Sequence, residues 1–563
     1  MSSSQILPNR DHPILIPELL ALTLSFLDEK STTKTVTVCR QWAGIALDAT
    51  WRSVTDFRRI LGLLGPFTVQ THYGRGNYAT HTYRFKRPLR STDWKRFDRY
   101  AHRIRSLTYD DKSRRVVDAT VWDEIISSCP REHLLPNLQS LSWYSSTAER
   151  QVCLLHFLHP GVKQLSMNVF PNDDSDKTTL SYLSQVHARA PRLTHLEIGT
   201  ECSISEVQEE VLTLLSGFPC LSQLTVPLYC LTSILMSRLS TLRHLSSIHF
   251  SKPVERRTGH PSDVAHWAPP LADGAFPTLH QLSLSAHLSH ALDFINSRFA
   301  PRHLTKLYVN VIAIDNPFVV RQFFTALVAQ HPQLQDLYVD FIVGPDAPIV
   351  YPPPPLHSRP GIETIRPLLS SPSLTSFGFR WDYQLNLTQA DVEEIASSWP
   401  RLESLLLNCQ PIPEVSGPIL TMNALLPFAR HCPRIEQLGL YLNGHMMPRR
   451  APSSLPPVRF TSLRTLSVGA SSITSVDSTA LFLSQLLPPG CKIESGVRWP
   501  DAFGLALDKI GIMDERRVKM TEWWVGWNDV AKVLPLATEA RMEERARIAV
   551  LEKEIERMKL ERR

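Results

Sequence analysis

LPNLQSLSW at residues 135–143, APRLTHLEI at 190–198, HPQLQDLYV at 331–339 and WPRLESLLL at 399–407 are four copies of one short phrase. Each reads Pro-x-Leu-x-x-Leu-x-apolar, with Leu, Ala, His or Trp before the proline. HPGVKQLSM (159–167), FPCLSQLTV (218–226), FPTLHQLSL (276–284) and CPRIEQLGL (432–440) repeat it with small changes. The second leucine of the phrase falls at Leu107, Leu141, Leu165, Leu196, Leu224, Leu245, Leu282, Leu307, Leu337, Phe377, Leu405, Leu438 and Leu466. From Leu107 to Leu466 the mean spacing is about 30 residues, with single intervals between 21 and 40. Alternate residues of a short strand share one face, so Leu-x-x-Leu-x-Leu predicts a strand with one face buried.

Between these strands the apolar residues change to helical spacing. Val207, Val211, Leu214 and Leu215 form one stripe; Val320, Phe324, Leu327 and Val328 another; Val392, Ile395, Ala396 and Trp399 a third. Thr388 and Asp391 read as a capping box opening the third helix. A proline after each helix stops it, because the residue before proline avoids the helical region. A single strand–helix unit cannot close a core, so neighbours must stack. The expected fold class is therefore α/β: a leucine-rich repeat solenoid over 104–500, with a parallel concave sheet and convex helices. An all-β parallel helix is excluded by the helical stripes. YPPPPLHSRPG (351–361) and MPRRAPSSLPP (447–457) read as loops leaving the solenoid, with an SH3-type ligand as the alternative. Outward strand positions beside the buried leucines are the expected target-binding surface: Tyr308, Asn310, Tyr338, Asp340, Arg380, Asn408 and Tyr441.

Composition narrows the class. The 563 residues are 43% apolar and 20% charged, a globular balance, and the net charge of +6 selects no partner by itself. Nine scattered cysteines without CxxC pairs suit reduced thiols, hence a cytoplasmic or nuclear setting. The opening MSSSQILPNRDHP lacks the apolar stretch of a secretory signal, and no run of about 18 apolar residues predicts a membrane span. On that expectation the sequon at Asn386 is a chance match.

Catalytic signatures are missing. There is no Walker loop, no GxGxxG after a strand, no GxSxG elbow and no HExxH. His156 and His159, three apart on an expected helix, lack a third metal ligand. Asp173, Asp174 and Asp176 lack the glycine and distal glutamate of a calcium loop. A solenoid hydrolase would need carboxylates clustered in one concave row, and none is found. The chain is expected to be no enzyme and to hold no metal or cofactor.

The N-terminal stretch is of another kind. In PILIPELLALTLSFLDEKSTTKTVTVCRQWAGIALDATWRSVTD (13–56), Pro17 suits a first helical turn, and Leu19, Leu20, Leu24 and Leu27 make an apolar stripe. A second helix is expected over about 31–41, presenting Val36, Val38 and Trp42, and a third over about 43–51. About 45 residues carry too much apolar surface to bury alone, so part of it is expected to meet a partner. If Leu20, Leu24 and Trp42 were sealed against the first repeats, that expectation would fail.

This stretch resembles the F-box. Ile16-Pro17-Glu18-Leu19-Leu20, Ser25-Phe26-Leu27-Asp28, Val38-Cys39-Arg40-x-Trp42 and Trp51 fall in the family's order. The resemblance implies docking on a Skp-type adaptor, which bridges to a cullin and a RING ubiquitin ligase. It implies adaptor contacts at Ile16, Pro17, Leu19, Leu20, Leu24, Leu27, Val38, Cys39 and Trp42, with Cys39 packed and not nucleophilic. Ser31-Thr32-Thr33-Lys34-Thr35 departs from the family's apolar second helix and weakens helix propensity. A helical cap that only seals the solenoid stays open as an alternative, as does a repeat scaffold without a ligase role.

Downstream, RFKRPLRSTDWKRFDRYAHRIRSLTYD (84–110) mixes basic and aromatic residues. Trp94, Phe97, Ala101 and Ile104 recur at helical spacing, so one face is core and the charges are its solvated back; nucleic-acid binding is the weaker reading. The segment resembles the helix joining F-box to repeats in fungal (basidiomycete-type) F-box proteins. The expected organisation is a disordered start (1–12), an F-box (13–60), a linker and capping helix (61–103), the solenoid (104–500), a C-terminal cap (501–537) and a charged helical tail (538–563). Trp523, Trp524 and Trp527 are expected to plug the solenoid end or to dock a partner. In the tail, Ile548, Leu551, Ile555 and Met558 give about two heptads, which predicts a solvated helix or weak self-association.

Overall fold

The computed structural model describes residues 16–73, 79–111, 115–171, 178–200, 202–251, 259–314, 316–342, 352–414, 417–445, 458–499, 507–508 and 514–561. The expected disordered start, Asp173, Asp174, Asp176 and the proline-rich stretch 447–457 lie outside these. The chain divides into two compact units. The first is 1–227 with 242–245 and 254–259; the second is 228–241, 246–253 and 260–563.

The first unit opens with three helices, α1 (Pro17–Ser25), α2 (Glu29–Thr35) and α3 (Arg40–Trp51). Its strands Ser53–Val54, Ser106–Asp110, Ser140–Tyr144, Gln164–Val169, His195–Thr200 and Gln223–Val226 run parallel, each beside the next. Val54, Leu107, Leu141, Leu165, Leu196 and Leu224 pair in one row, and all are buried. In the second unit the same row runs Ile248, Leu282, Leu307, Leu337, Phe377, Leu405, Leu438, Leu466 and Ile493, again in parallel strands. An α/β architecture with large parallel sheets and intervening helices is what stacked repeats require.

The row corrects the phrase at one place. Leu245 is not a strand residue; its N–H closes a turn on the Leu242 carbonyl, and the strand is Ser247–Phe250 with Ile248 in the row. TLRHLSSIHF offers leucines at 242 and 245, three apart, and no proline sets the frame, so the phrase slips by one step. Strands Ser53–Val54 and Lys492–Ser495 escape the phrase altogether, because Val54 and Ile493 lack the leucine three residues before them.

The helical stripes form where spacing put them, except that Phe323 is buried in place of Val328, which stays half-buried. Helices Gln208–Ser216, Pro317–Gln330 and Gln389–Ser398 bury Val211, Leu214 and Leu215; Val320, Phe323, Phe324 and Leu327; and Val392, Ile395 and Ala396. The Thr388 hydroxyl accepts the Asp391 N–H at 3.3 Å, while the Asp391 carboxylate accepts the Thr388 N–H at 2.7 Å, which completes the capping box.

Two regions differ from expectation. Between 61 and 103 lies an antiparallel hairpin, Phe67–Tyr73 with Ala79–Phe85, before the helix Ser91–Ala101 that buries Trp94, Phe97 and Ala101. The first hairpin strand is almost wholly exposed, so no apolar alternation marks it in the sequence. At the other end cap and tail are one helix, Asp514–Glu561, running through Pro535 without a break at 537. Of its three tryptophans only Trp527 is fully buried, donating its indole N–H to the Ser471 carbonyl at 3.0 Å.

His331 ends the helix Pro317–Gln330 and is 1% exposed, with neither ring nitrogen hydrogen-bonded. Burial, helped by Arg302, pushes its imidazole down to about 4. The folded chain therefore holds a neutral imidazole that the unfolded chain would protonate more readily. The resulting stability is fully present above the unfolded value of about 6.5 and is lost as pH falls from there towards 4. Replacing His331→Leu should flatten the pH dependence of unfolding between pH 7 and 4.5 by on the order of 2 kcal/mol, read by urea denaturation. An unchanged slope would show that His331 is not kept neutral by the fold.

Candidate functional site

In the N-terminal bundle only the second helix folds on a sequence poor in helix formers. Pro17 starts α1 at its first turn. In α2 the hydroxyls turn inward on the backbone: Thr32 Oγ1 donates to the Asp28 carbonyl at 2.9 Å and Thr35 Oγ1 to the Thr32 carbonyl at 2.6 Å. Cys39 is extended and caps α3, its Sγ accepting the Trp42 N–H at 3.5 Å. The helices therefore span 29–35 and 40–51, not about 31–41 and 43–51, and Trp42 belongs to α3. The β-branched run Thr35-Val36-Thr37 ends the second helix early.

Leu20 and Leu24, 1% and 2% exposed, form the bundle's core with Ala46; Val36, Trp42, Ile45 and Ala49 pack around them. These residues close on one another, so the bundle's exposed apolar surface is made by the others. α3 is tied to the body of the first unit: Arg103 reaches the Gly44 carbonyl at 3.1 Å and the Asp48 carboxylate, and Trp51 lies 4.9 Å from Tyr100. Arg59 sits 4.5 Å over the Trp51 ring.

Along α1 and just past its end, Ile16, Leu19, Leu22 and Phe26 follow at three- and four-residue spacing, 41%, 43%, 56% and 81% exposed. Leu27 and, after α2, Val38 are exposed too, as are Pro17 and Cys39. A cluster of large apolar side chains facing water marks an interaction surface. Leu22 and Phe26 were not among the expected contacts. Their signal was present in the sequence, since they continue the stripe from Leu19 on the face opposite Leu20 and Leu24.

In the second unit the expected target-binding residues divide. Tyr308 pairs with Tyr338, and Tyr338 with Gly378; the two tyrosine rings stack at 5.5 Å, and any Cβ on Gly378 would strike the Tyr338 ring. In the next row Asp340 lies between Asn310 and Arg380. The Tyr308 hydroxyl and Arg380 approach one Asp340 oxygen at 3.5 and 3.4 Å, and the other oxygen accepts the Ile342 N–H at 2.9 Å. Burial raises the Asp340 carboxyl above its usual range, with Arg380 opposing. Arg380 also donates to the Arg498 carbonyl at 2.8 Å. Tyr308 and Tyr338 keep partial exposure beside a groove of about 200 Å³, lined also by His249, Lys306 and Asp336.

Asn310, Asn408 and Tyr441 are buried. Asn408 has φ of +46°, accepts the Trp381 N–H at 2.9 Å and donates to the Tyr383 carbonyl at 2.7 Å, so its side chain serves the turn. His156 ends a short 3₁₀ turn, Val152–His156, and His159 lies beyond it, so the two do not share a helix. His159 Nδ1 accepts the Gly161 N–H at 3.1 Å. Among the described residues no cluster of His, Cys, Asp or Glu could hold a metal.

No protein-family model matches the chain, and no curated protein does. Among solved structures, a chain of the crystal structure of the Rad7 and Elc1 complex in yeast is similar at 15% identity and a TM-score of 0.37, covering 70% of this chain and 80% of that one.

The split between core and surface in α1 has a direct test. Leu24→Ala should cost about 2–5 kcal/mol and speed amide exchange throughout α1–α3. Leu19→Asp and Phe26→Asp should change stability by no more than about 0.5 kcal/mol. Hydrogen-exchange mass spectrometry on the full chain reads both, and equal acceleration by all three would dissolve the distinction.

Proposed function

We propose that the chain is the substrate-recognition adaptor of an SCF-type ubiquitin ligase, and itself no enzyme. The observation that carries this reading is the apolar stripe Ile16, Leu19, Leu22 and Phe26, left facing water on helices whose motifs resemble the F-box. A Skp-type adaptor covers that stripe, and a cullin–RING ligase follows through it. The repeats hold a protein target in place, and the rate gain comes from proximity supplied in trans. Tyr308 and Tyr338, partly exposed on rigid strands, are the side chains best placed to grip the target, with Asp340 and Arg380 holding their surroundings in position.

The setting is cytoplasmic or nuclear. None of the nine cysteines is disulfide-bonded, which suits a reducing compartment. No helix among the described residues is long and apolar enough to cross a membrane.

Capture on an immobilised recombinant Skp-type adaptor tests the assignment. The wild type should bind, and Leu19→Asp with Phe26→Ala should weaken binding at least tenfold, as expected for central apolar anchors. Leu20→Asp is the wrong probe, because it would break the bundle's core. Binding that ignores the double substitution would move the contact elsewhere. A wild type that fails to bind sinks the ligase reading in favour of a repeat scaffold.

A further inference from the structure

Beyond residue 545 every described side chain of the C-terminal helix is exposed, including Ile548 (47%), Leu551 (57%), Ile555 (48%) and Met558 (48%). These four recur at alternating spacings of three and four, so they form one stripe with Ile at both a positions and Leu and Met at the d positions. β-branched residues at a with leucine at d favour a parallel two-stranded pairing. The charges beside the stripe select the same geometry. Arg547 and Glu554 occupy g; Glu552 and Lys559 occupy e. In a parallel pair each g residue faces the e residue five positions on in the other helix. Arg547 then meets Glu552 of the second copy and Glu554 meets Lys559, each twice, so all four cross-contacts are attractive.

An antiparallel pair with the same apolar layers would set Glu552 against Glu552 and Glu554 against Glu554. Within one helix Lys559 lies 3.6 Å from Glu556 and Glu554 lies 3.9 Å from Arg557. Both are exposed pairs of the kind that contribute little and re-partner readily.

We infer that the tail from Arg547 to Lys559 is a self-association element, pairing two copies of this chain as a short parallel coiled coil. Two heptads make the contact weak and concentration-dependent. It rests on other residues than the adaptor reading and stands or falls separately.

Sedimentation equilibrium of the full chain up to about 100 μM tests it, a range that reads binding as weak as tens of micromolar. The wild type should show a reversible monomer–dimer equilibrium. Arg547→Glu with Lys559→Glu makes all four flanking positions acidic, and Glu552→Lys with Glu554→Lys makes all four basic. Each double variant should dimerise at least about tenfold more weakly, and an equimolar mixture of the two should recover the dimer. The fold is not at risk, since the substituted side chains are exposed and their partners within the helix are surface pairs that contribute little. A wild type that stays monomeric, a dimer that survives both reversals, or a mixture that fails to pair overturns the proposal.

Discussion

One carbonyl per repeat sets the frame on which the rest depends. In most repeats the carbonyl two residues before the buried row residue of the strand accepts two N–H groups from the next repeat, while that of Arg464 accepts one, from Lys492. Arg105 takes those of Gln139 and Ser140 at 2.8 and 3.0 Å; Thr305 takes those of Gln335 and Asp336 at 2.8 and 3.0 Å; Glu403 takes those of Glu436 and Gln437 at 2.7 and 3.1 Å. This fork fixes the parallel register before any side chain is considered. Side chains alternate along a strand, so a slip of one residue would turn every leucine of the row outward. Backbone and side chain therefore specify the same register, which is what allows units of very unequal length to stack.

The tolerance shows most clearly around residues 352–361. This proline-rich stretch enlarges one repeat, yet the strands before and after it, Asp336–Asp340 and Ser376–Arg380, stay paired residue for residue. A buried side chain holds it down. Arg359 forms a two-pronged ion pair with Glu414, donates from Nε to the Pro354 carbonyl at 2.8 Å and lies 5.4 Å over the Tyr383 ring. A buried pair of this kind is weak evidence for stability, but it defines one conformation, because either charge alone would be costly. A proline cluster pinned by its own chain is a poor free ligand for an SH3-type groove.

Legibility in the sequence followed the strength of the local signal. Leucines at 141, 165, 196, 337 and 405 are readable because a proline five residues before fixes the phrase, and 245 is misread where none does. The hairpin at 67–85 was invisible because neither face of its first strand is buried. In the candidate target surface, identity without burial misled: Asn408 looked like a polar contact, but a left-handed backbone and two backbone hydrogen bonds consume it. On α1 the sequence shows two stripes, and only packing tells which is core. Leu20 and Leu24 face Ala46, which leaves Leu19, Leu22 and Phe26 outside.

The polar second helix decides what kind of interface remains. The Thr32 and Thr35 hydroxyls are bonded to backbone carbonyls, and Thr32 fills a buried position that an apolar residue would otherwise take. α2 therefore forms without offering apolar area of its own. A partner covering the bundle gains its hydrophobic contact from α1 and its end, with Val38 as an outlying anchor. At roughly 25 cal/mol per Å² of buried apolar surface, a single stripe supplies less than a three-helix face would. Under the proposed adaptor role, affinity then rests on a few large side chains, Phe26 and Leu22 among the first, because they leave much apolar surface exposed.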